Sequence, residues 1–178
     1  MAIRKKSEII HLRVEPQSKF ILEGLANLGG TTATRVIERL LLEASETAQV
    51  MDIEESIDDS ILADGKLTLR EAIDLALVDK DQIITKLRIS YLANDALSVA
   101  DKFITLAIIS SLDIFGGEIE IFAKSENIIK DEDFNSIPRV DLEKIHEHMK
   151  SLTKFAEFRV KNPNIFMSYK EYLRVAQN

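Results

Sequence analysis

Three features of the sequence predict a mainly α chain, with a short N-terminal β-α-α unit ahead of a helical C-terminal domain. Ile10, Leu12 and Val14 alternate with His11 and Arg13, the period of a strand with one buried face. Two amphipathic helical stretches follow, separated by Gly29-Gly30. From Lys66 onward most apolar residues recur at the three- and four-residue spacing of helices that bury one side.

The strand poses a problem of hydrogen bonding. It stands alone at the start of the chain, and a lone strand leaves its backbone donors and acceptors unpaired. An edge strand of an ordinary sheet is the competing reading, but no strand is near enough in sequence to pair with it. Pro16 then suits the first turn of a helix, where its missing N–H would be unpaired anyway. Ile21, Leu25 and Leu28, with Phe20 alongside, give that helix one apolar face. Gly29-Gly30 ends it, and the hydroxyl of Thr31 or Thr32 caps a second helix built on Val36, Ile37, Leu40, Leu41 and Ala44.

The stretch from Asp52 to Asp64 carries six acids and no basic residue. It is expected as a hinge or a short acidic helix, which divides the chain into residues 1–50, a linker over 51–65, and a helical domain over 66–178. In that domain Thr68 to Glu71 fits a capping box, with Leu69, Ala72, Ile73, Ala76 and Leu77 behind it. A helix from about Asp81 uses Ile83, Ile84, Leu87 and Tyr91. The next, holding Leu97, Ala100, Phe103, Ile104, Ala107, Ile108 and Leu112, is apolar on most sides and is expected to be central. Gly116-Gly117 stops it. Glu118 to Phe122 alternates as a short strand, and residues 127–138 read as a loop. Leu142, Ile145, Met149, Leu152 and Phe155 mark a helix broken at Asn162-Pro163, and Ser168 to Glu171 caps a last one.

Composition limits the function classes. The chain has 178 residues, 46% hydrophobic and 30% charged, the balance of a globular protein. It has no cysteine, which excludes a disulfide framework and thiolate metal sites. The start lacks a signal-like apolar region, and the most apolar run, Phe103 to Phe115, is too short for a bilayer and carries Asp113. A cytoplasmic protein is expected. The net charge of −7 by itself disfavours nucleic acid, but it is unevenly spread. Residues 1–50 hold seven Lys/Arg against six Asp/Glu, and the rest hold sixteen against twenty-four. Arg4, Lys5, Lys6 and Arg13 face only Glu8 in the first thirteen residues, and a local basic edge matters more to DNA than the total.

An enzyme is not expected, and neither a cofactor nor a metal. His146 and His148 are two apart, so a helix sends them to different sides, where they cannot share an ion. A solvated face is their expected place. No phosphate-cradling glycine loop, HExxH or nucleophile elbow is present, and the carboxylates form no convincing acid/base pair. The aromatic residues Phe155, Phe158, Phe166, Tyr169 and Tyr172 are expected as core or dimer contacts.

The order of elements over the first forty-eight residues resembles the ribbon-helix-helix family of DNA-binding proteins. "IIHLRV" is similar to the family's strand, and "TTATRVIERLL" to its second helix. The resemblance implies a dimer in which two strands pair antiparallel and enter the major groove while the helices interlock beneath. It implies that Ile9, His11 and Arg13 read bases, with Arg13 on guanine O6 and N7, His11 at a base edge and Ile9 on a thymine methyl. It also implies phosphate contacts at Thr31, Thr32 and Ala33, where the second helix opens, and at Arg4, Lys5 and Lys6.

The function expected is sequence-specific binding of double-stranded DNA by a transcription regulator, activator or repressor, of a plasmid or mobile element with a role in conjugative transfer. The long C-terminal domain would set oligomeric state, as a dimer or higher even oligomer, or would contact RNA polymerase. Two alternatives stand beside it: an antitoxin whose C-terminal region binds a toxin, and an accessory protein of plasmid partition or of the relaxosome.

Overall fold

The computed structural model describes residues 9–77 and 81–176, and among these regular structure begins at Pro16. Helix α1 (Pro16–Leu28) carries Pro16 in its first turn and has no side-chain cap at Glu15, consistent with a first residue that has no N–H to satisfy. The turn after it needs glycine at one position. Gly30 lies at φ +57°, the left-handed region, while Gly29 keeps right-handed geometry. Helix α2 (Ala33–Thr47) follows, and its cap is Thr32, whose Oγ1 accepts from the N–H of Arg35 at 3.3 Å.

The chain divides after Ala44 into two compact units. Within the first, among the described residues, only Ala26 and Val36 are buried. Residues 9–15 form no strand in the single chain. The reason is the hydrogen-bonding problem of a lone strand: an extended segment becomes a ladder only against a second strand, and no described part of the chain lies there to serve as one.

The second unit starts where the sequence suggested a linker. Strand β1 (Gln49–Val50) pairs antiparallel with β2 (Leu67–Thr68), and the N–H of Leu69 donates to the carbonyl of Ala48 at 2.7 Å. Between these strands the acidic segment is folded, contrary to the hinge expected over 51–65. Ile57 is buried and bridges to Ile129, Asp58 N–H donates to Ile128 O at 2.8 Å, and a 3-10 turn covers Asp59–Ile61. Between the acids, Ile57 belongs to the buried core, and Ile53, Ile61 and Leu62 pack against it. The domain therefore begins at Ser45, not at Lys66, and within the loop expected over 127–138 residues 128–130 pair with the acidic segment.

The capping box at Thr68 is present with both of its hydrogen bonds and opens α3 (Leu69–Ala76). Asp81 caps α4 (Gln82–Leu92), and Ser98 caps α5 (Val99–Ser110) by accepting from Asp101 N–H at 3.1 Å. The one-turn helix α6 (Leu112–Phe115) leads into β3 (Gly116–Glu120), which pairs across a bulge with β4 (Arg139–Val140). This strand begins two residues before the expected Glu118, and Ile121 and Phe122 leave it to enter the core. Gly117 is required by close approach: a Cβ there would lie 2.6 Å from Asp141 N. Helix α7 (Leu142–Lys161) packs along α5, and α8 (Tyr169–Ala176) starts at Ser168, which exchanges hydrogen bonds with Glu171. Ile108, Ile145, Leu152, Phe155 and Tyr169 fill the space between these helices. Helix α5 is less central than its composition suggests, since Val99 and Leu106 are 59% and 58% exposed.

The two histidines of α7 also depart from expectation. His146 and His148 do point to different places, but neither is simply solvated. His146 Nε2 lies 2.8 Å from Asp81 Oδ2, and His148 Nδ1 lies 3.0 Å from the Tyr169 hydroxyl, with its ring edge-on to Phe115. Burial pushes the Asp81 carboxyl up, but the His146 hydrogen bond and the Ile83 N–H outweigh it and hold the group below its ordinary value. Among the aromatics, Phe155 and Tyr169 are core residues, but Phe166 is 89% exposed. Among the described residues, no helix is long and apolar enough to cross a membrane.

Candidate nucleic-acid interface

The residues expected to meet DNA all fall in the first unit. Ile9, His11 and Arg13 lie on the irregular segment ahead of α1, and all three are exposed. Glu15, at φ −59° and ψ 148°, ends that segment in extended geometry, and its carbonyl accepts the first helical bond from Lys19 at 3.1 Å. Pro16 thus marks where the helix starts.

Ile10, Leu12 and Val14, the residues expected to face a core, are 74%, 62% and 54% exposed in the single chain. They have company. Phe20, Ile21 and Leu28 of α1, and Leu40 and Leu41 of α2, are also exposed, at 73%, 55%, 89%, 46% and 60%. Isolated surface leucines are ordinary, but this many large apolar side chains on two helices and a short arm are not. The first unit has the apolar residues of a core and too few layers of its own to cover them.

The opening of α2 is the second part of the candidate interface. Thr31 N–H donates back to Ala26 O at 2.9 Å, which closes the turn. Thr32 Oγ1 takes the N–H of Arg35, and Thr32 O takes that of Val36 at 3.1 Å. Helix geometry leaves the N–H groups of Ala33 and Thr34 without intrahelical acceptors. The turn thus presents backbone donors and the positive end of the helix dipole. Of the residues expected to hold phosphate here, Thr32 is the cap, Ala33 contributes its N–H, and the N–H of Thr31 is already used within the turn. Arg35 is an addition that the sequence did not single out. It is exposed, sits in the first turn of α2 and forms no ion pair among the described residues, whereas Arg39 pairs with Glu43 at 3.7 Å. Its signal was present in the "TTATR" that opens the helix. Arg4, Lys5 and Lys6 lie outside the described residues.

No family model, no curated protein and no solved structure matches the chain.

Proposed function

We propose that the chain is a sequence-specific double-stranded DNA-binding regulator of transcription, which pairs two copies of its N-terminal arm as a β-ribbon and reads the major groove with it. One observation carries this reading above the others. The arm's alternating residues are all exposed in the single chain, together with the apolar faces of both helices that follow. A second copy supplies both missing parts at once: a strand for the arm's hydrogen bonds and a cover for the apolar side chains. The alternation then sends Ile9, His11 and Arg13 to the face opposite Ile10, Leu12 and Val14. Three side chains per strand on one two-stranded ribbon fit the width of a major groove.

The backbone donors at Ala33 and Thr34 and the guanidinium of Arg35 suit a phosphate at the start of α2. Neutralising Arg4, Lys5 and Lys6 together is expected to weaken binding to every sequence alike. The salt dependence should flatten by about one unit of slope for each phosphate that the variant no longer neutralises. Titrations of wild type and the triple variant at several salt concentrations check this, and an unchanged slope would remove these residues from the interface.

The second unit has its own closed core, from Val50 to Tyr169. A toxin-binding tail of the kind that orders only on its partner has no such core, so the regulator is favoured over the antitoxin. The proposal covers activator and repressor alike, with an operator on a plasmid or other mobile element.

The deciding experiment is on the arm. Arg13→Ala is expected to cost about 1–3 kcal/mol on the preferred site, the worth of a bidentate base contact, and much less on scrambled duplex. His11→Ala should relax preference at a neighbouring base pair. Both side chains are exposed, so circular dichroism should be unchanged. A site selected from random duplexes serves as the probe. Equal losses on selected and scrambled DNA would demote the pair to phosphate contacts, and no loss on either would end the ribbon reading.

A further inference from the structure

Two arginines of the second unit are built alike and differ in one respect. Arg88 stacks on Phe122, with its Cζ 4.5 Å from the ring centroid. Its Nη1 and Nη2 donate to the two oxygens of Glu126 at 2.8 and 3.0 Å, and to the carbonyls of Ile121 and Leu75. Arg159 stacks on Phe103 at 4.7 Å and lies 6.0 Å from the Phe155 ring. Its Nη1 donates to the Met167 carbonyl at 2.8 Å, and its Nε, like that of Arg88, is buried without a partner. No carboxylate among the described residues pairs with it. Arg159 has the aromatic bed and the carbonyl of the first arrangement but lacks the acid.

A groove of about 190 Å³ lies against Arg159, lined by Phe103, Leu106 and Ser110 of α5, by Phe155 of α7, and by Tyr169. That is below the roughly 300–1,000 Å³ of pockets that enclose a whole small molecule. It suits side chains presented by something larger. The groove also continues as a surface. Val99, Phe103 and Leu106 follow one another at four and three residues along α5, on one face. Val99 and Leu106 are mostly exposed, and Phe166, next to Met167 of the groove wall, is 89% exposed.

We propose that the groove between α5 and α7 is a docking site for an amphipathic helix of a partner protein, with one carboxylate of that helix pairing with Arg159. A helix matches the α5 stripe because it repeats large apolar residues at the same spacing. The carboxylate follows from the unpaired guanidinium, which in an apolar setting gains most from a bidentate acid. The rest of the partner helix is close to neutral. Residues 51–178 carry sixteen Lys/Arg against twenty-four Asp/Glu, so a strongly acidic segment would be repelled. This site lies wholly in the second unit and does not depend on what the first unit binds.

The test uses the full chain and a phage-displayed library of peptides about 16 residues long, enough to form a helix. Wild type is expected to enrich peptides with Asp or Glu three or four residues from a large apolar residue. Changing that acid to its amide should weaken an enriched peptide about tenfold or more, as should Arg159→Gln in the protein. Leu106→Glu, at an exposed position, should abolish binding with an unchanged thermal melt, which separates docking from folding. Enrichment without an acid, or equal binding by Arg159→Gln, would overturn the proposal. So would an empty selection, including one in which Leu106→Glu instead breaks an oligomer and assigns the face to a second copy.

Discussion

Glu126→Ala is expected to lower the stability of the second unit by about 3 kcal/mol, the lower end of the range for a buried charge that loses its partner, because Arg88 is buried while the Glu126 side chain is 22% exposed. Arg88 is 1% exposed, and it is among the largest fully buried side chains of the protein. Glu126 is its counter-charge and also accepts from Ala123 N–H at 2.8 Å, which ties the 3-10 turn over Lys124–Glu126 to the core. Removing the carboxylate leaves a guanidinium in the interior with only the carbonyls of Ile121 and Leu75 and the Phe122 face. Those groups are dipoles and cannot balance a full charge. Glu126→Gln should cost less, because an amide oxygen still accepts one of the two Arg88 hydrogen bonds. Arg88→Met, which removes the charge itself, should cost less than Glu126→Ala, since no charge is then buried unpaired. Urea unfolding of the full chain, followed by circular dichroism, orders the three variants. A loss below about 1 kcal/mol in Glu126→Ala would place the pair with exposed ion pairs in its worth.

The Arg88–Glu126 pair was not legible in the sequence. Its members are thirty-eight residues apart, and nothing local marks an arginine in an apolar helix as buried rather than as one charge on a wet face. Local signals fared differently. Pro16, Gly30, Thr32, Thr68, Asp81 and Ser168 each act on a backbone group within a few residues, so these helix starts and stops are legible one by one. The acidic stretch carries two patterns, and its charge hides its spacing. Ile53, Ile57 and Ile61 repeat every four residues beneath the acids, and the partner of Ile57, Ile129, stands far along the chain. The candidate interface divides in the same way. The capping of α2 is local and was read closely. The partner of the N-terminal arm is not local, and under the dimer reading it is not in the same chain at all.

The second large effect is expected at that arm. Leu12→Ala and Leu40→Ala should each weaken the dimer by about 2–5 kcal/mol per substituted side chain, the range for leucines truncated in cores. In a symmetric dimer every substitution occurs twice, so the loss per dimer is larger. Both leucines are mostly or half exposed in the single chain, at 62% and 46%. A protein that works as a monomer would therefore tolerate either change almost without effect. This makes the two readings diverge sharply. Sedimentation of wild type at micromolar concentration should give a dimer or a higher even oligomer. Each variant should shift toward monomer and lose operator binding in step, because a single arm has no ribbon to offer the groove. The second unit, whose core contains neither residue, should keep its helical circular dichroism. Leu106→Glu is the matched control: it changes an equally exposed leucine outside the first unit and should leave the dimer intact. A wild-type chain that remains a folded monomer, or a Leu12→Ala chain that dimerises and binds its operator as before, would show that the exposed apolar arm serves some other partner.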